Sequence, residues 1–353
     1  AVLADLSNTP FLAGGALSTL WGVYALPQSP SGRLPDRLSR KALLVAGLAL
    51  GVAGFGLVGL APTYPVFLVG AAVLGLGAGL YPTAARALIS DHFVEKRGGA
   101  FGLHTASGDV GGGLAAGLAG VALAAATWRV AFLPVVVVLA VALVWLHRLG
   151  REGYALRRVE LDVRGAAGRL FADADTRRLI GAYACFAFVW QSTASFLPTF
   201  LREAKTLSPA VASAGFAGLF LVGAVVKPLS GRIGDRFGKA PVAAGAISLA
   251  AGSLALVVLV DGPVAVVAAT LPYAAGLMAY PPAMQSYLMD VFPDASMGAD
   301  LGFARTVYIG LGALGPAYVG FVAERASYRV AFAGLVALLV VAAAVIVRRL
   351  LTG

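Results

Sequence analysis

The sequence predicts an all-α membrane protein built as two helical bundles, and three observations support this. Hydrophobic residues make up 59% of the 353 positions and charged residues only 12%, about half the share usual in soluble domains. Long runs carry no charge, such as residues 42–61 and 330–347, and they do not alternate as barrel strands would. Finally, a charged phrase, SGRLPDRLSRK at 31–41, returns as SGRIGDRFGK at 230–239.

Apolar runs of about 18 residues or more predict the individual membrane helices. Proline and glycine inside these runs are tolerated, because neighbouring helices can satisfy the freed backbone groups. We predict eleven helices of an expected twelve, at residues 12–31, 42–61, 65–89, 99–125, 130–147, 179–201, 213–230, 240–260, 263–289, 299–322 and 329–347.

The repeated phrase indicates two homologous halves. Gly32 and Gly231 are 199 positions apart, and WRVAF at 128–132 returns 200 positions later as YRVAF. We therefore predict an N-terminal half-bundle at 1–147, a linker at 148–178 and a C-terminal half-bundle at 179–353. Nothing in the first half pairs with the helix 179–201, so the repeat predicts a further helix ahead of residue 1.

The distribution of lysine and arginine predicts the orientation. The side that holds both repeated phrases carries 19 of these residues and the opposite side five, which places the phrases in the cytoplasm and predicts a multi-pass protein of the cell membrane. The linker, with eight arginines, is expected on the anionic inner leaflet as a surface helix. A plain linker is favoured over a regulatory segment.

Polar residues are distributed unevenly among the helices. The segments 42–61, 130–147, 240–260 and 329–347 are almost wholly aliphatic and are expected on the lipid-facing outside. The other helices carry polar and charged residues, which in membranes face the bundle interior or a wet cavity. The sequence thus predicts a bundle with a polar centre.

The two charged phrases resemble the signature loop of the major facilitator superfamily, which lies between the second and third helices of each half. The matching positions are Gly32, Leu34, Asp36, Arg37, Arg40 and Lys41, then Gly231, Asp235, Arg236, Gly238 and Lys239, with Pro35 and Ser39 departing from the pattern. The resemblance covers the whole chain and implies that it lacks the family's first helix. It also implies a cytoplasmic gate formed by Asp36, Arg37, Asp235 and Arg236, although arginines in such turns also serve topology alone.

Charged residues inside the predicted bundle are candidates for ion coupling. Asp109 lies about 16 Å from the cytoplasmic end of its helix, near the midplane, where a carboxylate needs a partner or a proton. Arg305 and Lys227 are the candidate partners, and a pair with Arg305 would bridge the halves. Asp109 thus has a coupling role or a structural one. His104, near Asp109, is a candidate proton relay or a packing residue, and Arg86 contacts an anionic substrate or the lipid headgroups.

The family architecture also implies which helices line a substrate cavity. The matching polar residues are Tyr81, Thr83, Tyr183, Trp190, Gln191, Ser192, Tyr273, Tyr280 and Gln285, flanked by Trp21, Tyr24, Gln28 and Tyr308.

We therefore predict a secondary transporter that moves a small solute by alternating access. The interior cations favour an organic anion, coupled to a proton or sodium ion, in a monomer without cofactor, metal site or nucleic-acid partner. Multidrug efflux is the first alternative, although Ala71 stands where the family's drug exporters carry an arginine. The second is a membrane receptor or scaffold that transports nothing. An enzyme is least expected, because no nucleophile–base pair is evident.

Overall fold

The computed structural model of the protein describes residues 9–28, 39–93, 97–124, 128–150, 153–154, 163–293 and 296–352. Within these ranges, the side chains at 83, 86–87, 90–91, 97–99, 101–102, 119–124, 163 and 352 fall outside the description. The described part is helical almost throughout, as the apolar runs predict.

Five helices account for most of the described residues before position 150. They are α1 (Pro10–Ala25), α2 (Arg40–Leu60), α3 (Tyr64–His92), α4 (Arg97–Ala124) and α5 (Phe132–Leu149), with a short 3-10 turn at Trp128–Ala131 before the last. The side chains of Thr9 and Ser39 cap α1 and α2 by accepting the backbone N–H groups of Leu12 and Ala42. Such caps fix where these two helices begin.

The rest of the chain begins with a short linker helix and continues with longer ones. The linker helix is α6 (Val163–Ala172), and it is followed by α7 (Ala174–Glu203), α8 (Pro209–Phe237), α9 (Lys239–Leu259), α10 (Pro263–Val291), α11 (Met297–Gly312), α12 (Leu314–Arg325) and α13 (Tyr328–Thr352).

Corresponding helices repeat at the offset that the sequence motifs show. Helices α2 and α9 both have 21 residues and start at positions 40 and 239, which are 199 apart. Helices α3 and α10 both have 29 residues and start at 64 and 263, again 199 apart. This matching of lengths extends the sequence repeat to the level of secondary structure.

Nine described segments are long and apolar enough to cross a membrane. Each of the eleven predicted helices has a helical counterpart, but α1, with 16 residues, and α4 are not among the nine spans. The protein therefore has the character of a multi-pass membrane protein, while the count of eleven spans remains a prediction.

One predicted helix is interrupted. The sequence predicts a single helix at 299–322, whereas the structure has α11 and α12 with a break at Ala313. Pro316 explains the break, because it has no N–H to donate to the carbonyl of Gly312 and its ring would collide with that carbonyl. The predicted membrane helix is thus present as the single candidate span Met297–Arg325, with one interruption inside it.

The aliphatic helices expected on the outside expose apolar faces. Helix α5 contains no buried residue, and Val138 and Trp145 on it are 67% and 66% exposed. Helix α9 instead buries one face, at residues such as Ile247 and Leu254, and exposes Leu249 and Leu256 on the other. One-sided burial of this kind suits a helix between lipid and a protein core.

The linker helix α6 packs against helix α11. Leu170 is 1% exposed, and the ring of Phe171 meets that of Phe303 on α11 edge to face. Arg169 donates to both oxygens of the fully buried Asp300 near the start of α11, with Nη2 2.7 Å from Oδ1. The described part of the linker is thus anchored to α11. The arginine-rich sequence of the linker did not predict this contact.

Replacing Arg169 with methionine is expected to destabilise the protein by about 1.5–3 kcal/mol, because the Asp300 carboxylate would stay buried without its charged donor. Thermal unfolding of the purified protein in detergent measures the effect. Arg178→Met is the control, since Arg178 pairs at 3.0 Å with Asp175 on the surface and such pairs contribute about 0–1 kcal/mol. Equal losses in the two variants would contradict the anchoring role.

Candidate functional site

A central cavity of about 380 Å³ lies where helices α1, α7, α8, α10 and α11 meet. Its volume is in the range of small-molecule sites, which are mostly apolar with a few placed polar groups. The lining residues are Trp21, Tyr24, Tyr183, Phe186, Ala187, Trp190, Gln191, Lys227, Leu277, Met278, Pro281, Gln285, Arg305, Tyr308 and Ile309.

Helix α7 supplies one continuous face of this cavity. Tyr183, Phe186, Ala187, Trp190 and Gln191 follow the spacing of 3, 4, 7 and 8 residues that places side chains on one side of a helix. Pro198 lies beyond this face toward the end of the helix, so the lining segment keeps regular geometry. The face thus presents three aromatic rings and one amide to the same space.

Arg305 is a cation of the cavity whose described partners are neutral. Its Nε donates to Oε1 of Gln28 at 3.1 Å, and Gln28 itself is 1% exposed. The phenols of Tyr24, Tyr183 and Tyr308 are the other close electrostatic neighbours of the guanidinium. No carboxylate pairs with Arg305 among the residues that the structure describes, so its positive charge is uncompensated there.

Lys227, the other cation of the cavity, is compensated. Its Nζ donates to Oδ1 of Asp109 at 2.5 Å, which joins α8 to α4. Of the two candidate partners for Asp109, the structure selects Lys227, and Arg305 reaches Gln28 instead. The second carboxylate oxygen, Oδ2, is buried without a hydrogen-bond partner in the described part of the chain.

Gln191 holds a second unsatisfied acceptor at the cavity wall. Its side chain is 2% exposed, and its Nε2 donates to the carbonyl of Ile309 at 3.1 Å. Its Oε1 has no hydrogen-bond partner among the described residues. A buried polar atom left unsatisfied is costly, so this oxygen is a position where a ligand donor would be stabilised.

Aromatic rings dominate the remaining wall. The rings of Tyr183 and Tyr308 are stacked at 4.0 Å with an interplanar angle of 11°. Trp21 meets Tyr24 edge to face at 5.5 Å, and Trp190 meets Phe220 at 6.4 Å. Because these rings hold one another in place, the wall offers flat, pre-oriented surfaces to a ligand.

Several residues predicted for the cavity lie elsewhere. Tyr273 is fully buried, and its hydroxyl lies 2.6 Å from that of Thr193 in the core of the C-terminal half. Tyr280 and Ser192 are also fully buried and do not line the cavity, and Tyr81 is 39% exposed outside it. The hydroxyls of Tyr280 and Ser192 have no hydrogen-bond partner among the described residues.

The remaining predicted residues either lie next to the cavity or have side chains that are not among the described ones. Gln28 lies behind Arg305 rather than on the cavity wall. His104 does not line the cavity, and its backbone carbonyl accepts the Ser107 hydroxyl at 2.7 Å. The side chains of Thr83 and Arg86 lie outside the described residues.

The predicted gate is described only in its second copy, because Asp36 and Arg37 lie outside the described residues. Asp235 and Arg236 are exposed at the end of α8, and the Arg236 guanidinium lies 5.4 Å from the Phe237 ring. The next residue but two, Lys239 at the start of α9, connects this turn to α10. Its Nζ is 2.7 Å from both carboxylate oxygens of Asp290 on that helix.

A tight seam joins α1 to α12 at the end of the bundle opposite the charged turns. A Cβ at Gly14 would lie less than 3.0 Å from the Pro316 carbonyl, and one at Gly320 equally close to that of Pro10. The Ser18 hydroxyl also accepts the N–H of Ala317 at 3.0 Å. Helices α1 and α12 are therefore in backbone contact along this seam.

Sequence reasoning missed several lining residues because they are apolar. Phe186 could have been found from its helical spacing to Tyr183 and Trp190. Met278, Pro281 and Ile309 carry no such signal, since their types are equally common in membrane helices that face lipid or core. They line the cavity only because their helices are turned about their axes so that these side chains face it.

Comparison with known proteins gives a family match and a likeness to solved structures. The sequence model of the Major Facilitator Superfamily matches residues 1–312 of the chain and, in a second match, residues 179–352. Among solved structures, a mutant of the nucleoside transporter NupG is similar, with a TM-score of 0.78 and 15% sequence identity. That alignment covers 98% of this chain and 92% of the other, and at such low identity the likeness concerns the fold.

Proposed function

Since the chain belongs to the major facilitator superfamily, we propose that it is a secondary transporter that moves a small organic anion by alternating access. In this proposal, residues 1–147 and 179–353 are the two halves that rock around the central cavity, and 148–178 joins them. The observation that carries it is the uncompensated charge of Arg305 inside a cavity at the interface of the halves.

The charge balance of the cavity supports an anion over a cation. Lys227 and Asp109 neutralise each other, which leaves the Arg305 guanidinium as the net charge of the described lining. A guanidinium binds carboxylates in a bidentate manner and is less hydrated than an ammonium group. An apolar drug cation would meet this charge at close range, so efflux of such compounds is the weaker hypothesis.

Proton coupling is supported by the state of Asp109. Its Oδ1 is bound to Lys227 and its Oδ2 is buried without a described partner, which makes Asp109 the proposed coupling site. Protonation would weaken the ion pair that connects α4 and α8, and thereby loosen one contact between the halves. Movement of the anion together with a proton would also reduce the net charge carried through the membrane.

The gate is proposed at the two charged turns, with Asp36, Arg37, Asp235 and Arg236 as its members. The pair of Lys239 and Asp290 supports this in the second copy, because it ties the turn after α8 to α10. Gly238 adopts a φ of +96° between α8 and α9, a conformation that favours glycine and makes the turn tight. Breaking and forming such contacts would accompany the opening of this end.

Replacing Arg305 with glutamine is expected to lower anion uptake by about 30-fold or more, because a desolvated charge partner of the solute is lost. Proteoliposomes containing the purified protein measure this with a panel of organic anions and cationic drugs, with and without a pH gradient. Arg202→Gln is the control, since Arg202 is an exposed arginine on α7 outside the cavity.

The same panel separates the alternatives. Efflux of apolar cations that depends on Asp109 but not on Arg305 would favour a multidrug antiporter and overturn the anion proposal. Ligand binding without movement of any solute would favour a receptor or scaffold. Uptake of anions that is equally strong in the Arg305→Gln variant would contradict the role of this side chain.

A further inference from the structure

Two polar contacts for a ligand lie on one side of the cavity. Gln191 is held by the carbonyl of Ile309, and Ile309 lies four residues after Arg305 on α11. Arg305 and Ile309 therefore lie on the same face of α11, and both line the cavity together with Gln191.

The two contacts differ in chemistry. Arg305 offers donors and a positive charge, whereas the Oε1 of Gln191 accepts a hydrogen bond and is nine-tenths or more buried. A solute that satisfies both carries a carboxylate at one end and a hydroxyl or amino donor at the other. The single uncompensated charge favours a monoanion over a dianion.

The wall between the two contacts is flat and aromatic. Tyr183 and Tyr308 stack on each other, and Phe186, Trp190 and Trp21 line the same space. Offset and edge-to-face packing against such rings stabilises a planar aromatic body by more than its buried area alone. An aliphatic chain would bury similar area without this contribution.

We propose that the solute is a planar aromatic monocarboxylate with a hydroxyl or amino donor opposite its carboxylate, the hydroxybenzoate class. The carboxylate binds Arg305, the donor binds Oε1 of Gln191, and the ring lies against the aromatic wall. Gln28 acts as a positioning residue, because it fixes Arg305 from behind through the 3.1 Å hydrogen bond. This assignment rests on the proposed function for transport, but binding tests it separately.

Binding is measured through tryptophan fluorescence, because two of the four tryptophans, Trp21 and Trp190, line the cavity. The probe is 4-hydroxybenzoate, and the comparators are benzoate, 4-hydroxycyclohexanecarboxylate, 4-hydroxybenzyl alcohol and 4-hydroxyphthalate. These differ from the probe in the donor, the planar ring, the charge and the number of charges, respectively. We expect 4-hydroxybenzoate to bind most tightly and to accumulate in proteoliposomes.

Variants test the two polar contacts. Arg305→Gln should weaken binding of 4-hydroxybenzoate by about 30-fold or more, and Arg305→Lys by less. Gln191→Leu should reduce the preference for 4-hydroxybenzoate over benzoate by roughly 3- to 10-fold, the usual effect of one neutral hydrogen bond. Gln191→Met is a second variant should leucine disturb packing, and Arg202→Gln is the control. Size-exclusion chromatography verifies that each variant is folded.

The outcomes distinguish this assignment from the transport proposal. Transport of another solute class, with no binding or competition by 4-hydroxybenzoate, overturns the assignment and leaves the transporter in place. Binding with the expected dependence on Arg305 and Gln191, but no movement, supports the assignment and overturns transport. An unchanged preference in both Gln191 variants overturns the donor contact.

Discussion

Replacing Lys227 with methionine is expected to destabilise the protein by about 3–5 kcal/mol and to abolish the dependence of uptake on a pH gradient. The physical reason is that Asp109, 6% exposed, would be left as a buried carboxylate without its cation. Without the ion pair, the pH gradient also has no proposed contact between α4 and α8 on which to act. Thermal unfolding in detergent and proteoliposome uptake at two pH gradients measure the two effects.

A double substitution separates the loss of folding stability that follows from an unpaired charge from the loss of proton coupling. Asp109→Leu combined with Lys227→Met should recover most of the lost stability, because no buried charge remains, but should not recover coupling. Arg178→Met is the control, since Arg178 pairs with Asp175 on the surface and such a pair contributes about 0–1 kcal/mol. Full pH-dependent uptake in the double variant would show that the pair has a structural role only.

The sequence predicts the helices of this protein well, because each is an apolar run long enough to cross a bilayer. The repeat predicts their correspondence, and the equal lengths of α2 and α9 agree with it. The break at Ala313 was missed although Pro316 is visible in the sequence. Proline inside membrane helices is common, so its presence alone does not tell a kink from an interruption.

The lining of the cavity was only partly predictable from the sequence, because the type of a residue does not show which face of its helix points toward the cavity. Tyr183 and Tyr273 are both tyrosines of polar-bearing helices, yet one lines the cavity and the other pairs with Thr193 in the core. Asp109 had two candidate partners because the crossing of α4 and α8 decides which cation reaches it. The spacing of Gln191 from Tyr183 on α7, by contrast, is one that the sequence shows and that places both residues on one face.

Replacing Gly14 with valine is expected to favour the state in which the seam between α1 and α12 is open. Even the Cβ of the new side chain would lie less than 3.0 Å from the Pro316 carbonyl, so the two backbones must separate. Overpacking of this kind costs about 1–3 kcal/mol. Because the cost is relieved only where the seam is open, it shifts the equilibrium between the two states by about 5- to 150-fold.

Cysteine labelling measures this shift. In a Cys185→Ala background, a cysteine replacing the cavity residue Ile309 should react faster with an impermeant maleimide added on the seam side when Gly14→Val is present. Gly22→Ala is the control on the same helix, since its Cβ would lie 3.9 Å from Ala313, an ordinary contact.

Gly320→Val should act like Gly14→Val, because Gly320 meets the Pro10 carbonyl in the same way. If both seam variants labelled at the rate of the control, the contact between α1 and α12 would not be a gate. If both labelled faster, alternating access would have its closed side at this seam, and the cavity with Arg305 would open toward the charged turns.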